Sequence, residues 1–500
     1  MIEFTAAQIA TLCKGRLSAG TDPQTRIDAA RIVTDSREAV PGSLYVAKAG
    51  EHADGHDFVP AAFAAGAVLV LAERETADDA GTSVPAVIVA DAVLAMGVLA
   101  AEMVRRIRAV TPLTVIGITG SAGKTTTKDL LAGILGQLGE TVAPIGSYNG
   151  EVGVPLTVFR AVETTRYLII EMGATKMGQI SYLSTLVNPD IGVVLCVGSA
   201  HAGEFGSIDN IAVAKGELVA ALPANGTAIL NYDDARVRAM APRATAPVTF
   251  FSSADATDEA AAVAPAVQAR EVRTTDGHPE FTLTFPGDPE TYQVRSLLLG
   301  LHHVANLLAA ASAAHAAGAA PAVIAASLNS QGAASRYRME RTDRDDGVTV
   351  INDAYNANPE SMRAALRTLA ELGAGGTRRT WAVLGEMLEL GEGSVLEHDL
   401  VGRVAVRLNI SRLLVVGTAA RAMHVGAVME GSWGEESMFV PDADAAYEVL
   451  ARELAPGDVV LVKASNGAGL RFLGDRIALP TTDTPVGNQE QTPGERTQQP

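Results

Sequence analysis

The sequence predicts an α/β protein of three domains, with a central parallel or mixed sheet covered by helices on both faces and a second doubly wound sheet at the C-terminal side. Three observations predict it. A chain of 500 residues is too long for one hydrophobic core. Hydrophobic residues make up 48% but aromatics only 4%, with 48 glycines, and small residues let helices approach parallel strands closely. Finally, apolar runs of strand length alternate with helix-length segments along most of the chain.

The first domain is expected over residues 1–110, with strands at 44–47, 68–72 and 86–90 and an amphipathic helix over 91–108. Thr111-Pro112 then marks a boundary, because the residue before proline is pushed out of helical geometry. In the second domain, 111–334, strands are expected at 113–119, 167–172, 191–197 and 228–231. A hairpin follows around Asp276-Gly277, and an Ala-rich buried helix starts at His303. The third domain, 335–479, has strands at 348–352, 381–384, 413–416 and 459–462. It reads as Rossmann-like without a Gly-x-Gly-x-x-Gly turn after its first strand. Residues 480–500 hold almost no apolar side chains, so disorder is expected there.

The formal net charge of −18 argues against a general nucleic-acid binder, so phosphate must be held by local groups. Two cysteines, Cys13 and Cys196, make no disulfide framework and suit a reducing compartment. The amino-terminal stretch lacks the pattern of a signal peptide, and no run reads as a membrane span. A cytoplasmic location, without membrane insertion, is expected.

The strongest local signal is Gly117-Ile118-Thr119-Gly120-Ser121-Ala122-Gly123-Lys124-Thr125-Thr126, which follows an apolar strand and opens a helix. Gly120 and Gly123 let backbone N–H groups converge on phosphate oxygens, and the helix start favours negative charge. Lys124 would reach the β/γ-phosphates, and the Thr125 hydroxyl would bind Mg²⁺. Ile118 occupies the first glycine slot of the general pattern, so a tight turn with a chance Lys-Thr is the competing reading. Glu171 closes an apolar run and His201 follows the next one. A carboxylate and an imidazole at neighbouring strand ends beside a phosphate loop suit a Mg²⁺ site, although each alone is usually just polar. Lys215 lies in a segment where Ile211, Leu218 and Leu222 fall on one helical face, and by composition alone it reads as a solvated surface lysine.

These motifs, with Glu171-Met172-Gly173-Ala174, Gly198-Ser199-Ala200-His201 and Ala214-Lys215-Gly216-Glu217, resemble the central domain of the Mur ligases. The stretch from Asp353 to Met362, the run from Leu384 to Gly391, Gly457-Asp458 and Lys463-Ala464-Ser465 resemble the member that adds D-alanyl-D-alanine. Asp35-Ser36-Arg37 and Asp54-Gly55-His56 resemble the family's uridine-nucleotide end. The resemblance covers nearly the whole chain except the tail.

It implies an ATP- and Mg²⁺-dependent ligase of peptidoglycan synthesis that joins UDP-N-acetylmuramoyl-tripeptide to D-alanyl-D-alanine through an acyl phosphate, acting as a monomer. It further implies that Gly120, Ser121, Ala122, Gly123, Lys124, Thr125 and Thr126 cradle ATP phosphates. Thr125, Glu171, His201 and a carbamylated Lys215 would hold Mg²⁺. Asn306 and His303 would approach adenine, Arg338 the γ-phosphate and Asp353 the ribose. Lys124, Lys215, His201 and Arg338 would serve the chemistry, and Ser36, Arg37, Asp54, Gly55, His56, Asn356 and Asn358 the two substrates. From residue chemistry alone, Asp353 could cap a turn, Arg338 could be a surface arginine and Asn306 a polar face residue.

The chain departs from the family at His303 (commonly Asn), Asn149-Gly150 (Asn-Asn), Thr175-Lys176 (Asn-His) and Ala464 (Gly). Competing functions are a sibling ligase for another amino acid, a folylpolyglutamate-type synthetase, or a non-catalytic nucleotide switch. The Asp-Asn-Pro-Arg signature of diaminopimelate addition is absent.

Overall fold

The computed structural model describes residues 2–50, 53–198, 202–253, 267–374, 376, 378–431, 434 and 436–479. The expected disordered tail and His201 lie outside the described residues.

Among these residues, three larger sheets follow one another along the chain. The first has five strands in the order Arg16–Leu17, Ala86–Ile88, Ala67–Ala72, Ser43–Val46, Ile32–Val33, parallel apart from the first pair. Beyond it runs the helix Ala92–Val110, started by Asp91, whose carboxylate accepts the Leu94 N–H at 2.8 Å. Its buried stripe of Met96, Leu99, Met103 and Ile107 contributes about 2 kcal/mol per side chain. That stripe packs against the helices Gly153–Val158 and Gln179–Val187, so the first core runs on into the second.

The central sheet has nine strands. From one edge these are Thr291–Arg295, His278–Thr284, Val267–Thr275, Val248–Ser252, Thr227–Asn231, Ile191–Val194, Thr114–Thr119, Tyr167–Glu171 and Thr141–Val142. The first three pair antiparallel and the rest parallel. Alternation sends Ile116, Ile118 and Ile169 to the face covered by Lys124–Leu135 and His303–Ala316. Val115, Leu168 and Ile170 go to the face covered by Gln179–Val187 and Ile208–Ala220. The Asp276-Gly277 hairpin is present, both residues having positive φ (49° and 75°) as a tight two-residue turn requires.

The third sheet runs Glu340–Asp343, Thr349–Asn352, Val459–Lys463, Thr380–Leu384, Arg412–Val416, Ser437–Val440, with only the first pair antiparallel. Helices cover both faces. The expected mixed α/β architecture is therefore observed. No helix among the described residues is long and apolar enough to cross a membrane.

Candidate active site

Thr114–Thr119 lies between Tyr167–Glu171 and Ile191–Val194, all parallel, so the loop after it emerges near the middle of the central sheet. Ligands in such sheets sit at the carboxyl ends of the strands. Gly123 takes φ +82° before the helix Lys124–Leu135, and a Cβ there would run into the Asn306 side chain. Glycine is thus demanded twice, by backbone sign and by close approach. The loop is pinned by the Ser121 N–H to the Cys196 carbonyl at 3.0 Å. Ser121 Oγ and Gly198 exchange two more hydrogen bonds, of 3.2 and 2.9 Å. Lys124 Nζ donates back to the Gly120 carbonyl at 2.8 Å, which holds the ammonium over the loop.

Glu171 is fully buried. Its Oε2 accepts from the Thr125 hydroxyl at 3.0 Å, and its Oε1 from Ser147 Oγ at 3.0 Å and Asn149 Nδ2 at 2.8 Å. A carboxylate and two hydroxyls gathered beside a phosphate loop form a hard oxygen donor set, the kind that Mg²⁺ takes along with water and phosphate oxygens. The described residues contain no cluster of three or more His, Cys, Asp or Glu. Sequence reasoning gave Ser147 and Asn149 no role at the site; the signal available was Asn149-Gly150, which stands where the family commonly has an Asn-Asn pair, with Ser147 two residues before it.

Lys215 overturns the reading from composition alone. It is 3% exposed, on the inner face of Ile208–Ala220. Burial, and then the charge of Lys124, push its amine down to about 7. At i+4 from Ile211 and i−3 from Leu218, it lies on the apolar face that packs against the sheet.

Arg338, from the segment entering the third sheet, brings Nη2 to 3.4 Å from Thr125 Oγ1 and lies over the Tyr355 ring at 4.6 Å. Ser335 donates to Asp129 Oδ2 at 2.6 Å, and Arg341 pairs with Asp276 at 3.1 Å. The central and C-terminal sheets therefore meet over the phosphate loop. A cleft there is lined by Thr126, Asp129, Leu130, His303, Ser335 and Arg338. In it, His303 is kept neutral by burial; its Nδ1 meets Asn306 Nδ2 at 3.1 Å, while its buried Nε2 has no protein partner. Asp353 is no turn cap: it is buried, with Oδ2 at 2.6 Å from Lys463 Nζ.

Ser36, Arg37, Asp54, Gly55 and His56 lie at the carboxyl ends of strands in the first sheet, around Tyr45, whose phenol is raised to about 12 by burial and then by Asp35 and Asp54. Several of these groups are engaged within the fold. Arg37 pairs with Asp35 at 2.6 Å. His56 Nδ1 meets Asp54 Oδ1 at 2.6 Å, and its Nε2 accepts the Glu73 N–H at 3.1 Å, so both ring nitrogens are used. Gly55 passes so close to the Lys48 backbone that a side chain would not fit. In the third unit Asn356 is exposed, whereas Asn358 caps Pro359–Leu372 by accepting the Ser361 N–H at 2.8 Å. Gly457-Asp458 also serves the scaffold: buried Asp458 accepts from Arg379 at 2.7 Å and Trp381 Nε1 at 3.1 Å.

Residues 29–117 match the Mur ligase family catalytic domain, 118–314 the Mur ligase middle domain, and 337–466 the Mur ligase glutamate ligase domain. The chain belongs to the Mur ligase family. A Mycobacterium tuberculosis relative named UDP-N-acetylmuramoyl-tripeptide--D-alanyl-D-alanine ligase is 47% identical, over 96% of this chain and 99% of its own length. A solved MurF from Acinetobacter baumannii superposes with a TM-score of 0.82 at 30% identity, over 96% of this chain and 99% of that one. MurF ligase from Thermotoga maritima, solved with ADP, gives 0.74 at 26% identity, over 90% and 98%. As a Mur ligase, the chain is an ATP-dependent peptide ligase.

Proposed function

We propose that this Mur ligase joins D-alanyl-D-alanine to UDP-N-acetylmuramoyl-tripeptide, forming the pentapeptide precursor of peptidoglycan. The named relatives support the substrates. The observation that carries the site assignment is the approach of Arg338 to Thr125 at 3.4 Å, which sets a guanidinium from the C-terminal unit against the phosphate loop of the central one.

A free carboxylate does not acylate an amine in water, because its leaving group is too poor. In the proposed reaction the tripeptide carboxylate attacks the γ-phosphorus of ATP and ADP leaves. The dipeptide amine then attacks the acyl carbon, phosphate departs with the bridging oxygen, and the amine gives up a proton. No side chain acts as nucleophile; the protein aligns reactants and neutralises charge. Residues Gly120 to Thr126 hold the phosphates, and Lys124 and Arg338 face the transferred group. Asn306 and His303 border adenine, whose ring nitrogens or amine would satisfy the unpartnered His303 Nε2. Asp353 holds the ribose.

Thr125 and Glu171 would hold Mg²⁺, together with His201 and Lys215 as carbamate; the metal supplies charge neutralisation on the transferring phosphoryl group. A near-neutral buried amine supports the carbamate, since only an unprotonated lysine adds CO₂. Ser36, Arg37, Asp54, Gly55 and His56 would serve the uridine end, and Asn356 and Asn358 the dipeptide end, the latter two from a loop ordered by the Asn358 cap. Between them stands Tyr148, whose phenol is raised by burial and then by Glu38, Tyr355 and Asp35. The proposal includes the division into 1–110, 111–334 and 335–479, a cytoplasmic location that two free cysteines fit, and a monomeric enzyme.

Isotope transfer tests the acyl phosphate. With ¹⁸O in the terminal carboxylate of the tripeptide substrate, one labelled oxygen should appear in the released phosphate. Phosphate carrying no label while amide forms would contradict this route.

A further inference from the structure

Arg338 sits in a segment whose backbone does not rest by itself in the observed shape. Tyr337 has φ +61° and Met339 φ +53°, so the residues on both sides of Arg338 are left-handed. Bulky side chains seldom adopt that region, and where they do the surroundings must impose it. Several contacts impose it here. Ser335 Oγ donates to Asp129 at 2.6 Å, Arg336 pairs with Asp475 at 2.8 Å, and Tyr337 OH reaches the same carboxylate at 3.0 Å. The Tyr337 N–H donates to Glu340 Oε2 at 2.9 Å. The last contact is buried: the Met339 N–H donates to Asp353 Oδ1 at 3.1 Å.

Asp353 is itself held. Its Oδ2 accepts from Lys463 Nζ at 2.6 Å, and the same ammonium donates to the Asn356 carbonyl at 2.9 Å. Lys463 ends the strand Val459–Lys463, beside Thr349–Asn352, and is 2% exposed. A buried carboxylate without this partner would be strongly disfavoured as an anion. One largely buried ion pair thus anchors the amide that follows Arg338, while the Arg338 guanidinium lies on the ring of Tyr355, two residues beyond Asp353.

We infer that Lys463 is a positioning residue: through Asp353 it fixes the kinked 335–339 segment and so sets Arg338 over the phosphate loop. The inference rests on the proposed roles of Arg338 and Asp353. Because one carboxylate faces both the ribose site and the Met339 amide, nucleotide occupancy and arginine placement share a single group.

A double-mutant cycle with two readouts tests this. K463M, D353N and K463M/D353N are compared with wild type for kcat with ATP and both peptide substrates, and for hydrogen exchange of the peptide spanning 335–340. K463M should lower kcat by about tenfold to a hundredfold, the loss expected when a reacting group shifts by about an ångström, and should speed exchange of that peptide. In the D353N background the same change should cost less than about twofold, because Lys463 acts through the carboxylate. Should K463M fail to fold, the double variant, which buries neither charge alone, still decides: its kcat and exchange must match those of D353N. Multiplying losses, or a folded K463M with unchanged exchange and kcat, overturn the inference. Exchange that responds as stated in a wild-type background making no amide keeps the positioning role and discards the proposed reaction.

Discussion

Burying a lysine costs solvation of its charge, and Lys215 lowers that cost by holding its proton weakly, down to about 7. Between that value and the ordinary lysine range the unfolded chain carries the extra proton, so the contribution of Lys215 to stability rises with pH across this window and is least favourable below it. If the amine becomes a carbamate, ¹³C-bicarbonate should give a carbamate resonance at pH 8 that fades, together with kcat, as pH falls through about 7. Lys215→Ala should lose about a hundredfold or more in kcat and recover partly with a small carboxylic acid; full activity without rescue would remove Lys215 from the mechanism. Composition alone assigns such a lysine to solvent, yet at i+4 from Ile211 and i−3 from Leu218 it shares their apolar face, which the sheet covers. Family resemblance, not composition, pointed to its role. Glu171 was legible at its strand end, but its hydrogen bonds to Ser147 and Asn149 come from a loop that only the tertiary fold brings near.

Among the elements, the phosphate loop is the most constrained. Gly123→Ala would force a left-handed alanine and push its methyl into Asn306. The expected result is a loss of about 1–3 kcal/mol in stability and no thermal shift on adding ADP; a variant that melts like wild type and still binds ADP would contradict the geometry. At the far end of the third sheet, Asp458→Ala should cost about 2–3 kcal/mol in urea unfolding, because Arg379, Trp381 and the Ala455 N–H lose their shared acceptor. Its kcat per folded molecule should stay near wild type. A loss of kcat without a loss of stability would move Asp458 into the site. Strong apolar runs such as 113–119 and 459–462 were readable as strands because they are buried on both faces. Glu340–Asp343 was not: it is a charged edge strand paired on one side only, with no apolar run to announce it. Val248–Ser252 escaped for another reason, since Pro247, Thr249 and Ser252 break its apolar signal into Val248 and the Phe250-Phe251 pair.

At the scale of the whole molecule, the site exists only where two sheets meet. Polar contacts between them, Arg338 to Thr125, Ser335 to Asp129 and Arg341 to Asp276, stand beside an apolar one, in which Leu299 of the central unit joins the C-terminal core with Leu369 and Leu372. Relative motion is the expectation across an interface of this mixed kind, and a site shared by two units needs them closed for chemistry. Solution scattering should therefore show a smaller radius of gyration with an ATP analogue and the tripeptide substrate than without; unchanged dimensions would argue against closure. The alternation of strands and helices announced two sheets and the strands of the first domain, but how the two sheets face one another depends on side chains 213 residues apart in sequence, such as Thr125 and Arg338, and no local pattern encodes that. The most direct measurement is phosphate release by the purified protein with Mg²⁺ and ATP, adding UDP-N-acetylmuramoyl-tripeptide and D-alanyl-D-alanine singly and together. Sustained release coupled one-to-one with pentapeptide should occur only when both are present; turnover with neither or with one alone, or no joined product with both, would contradict the account.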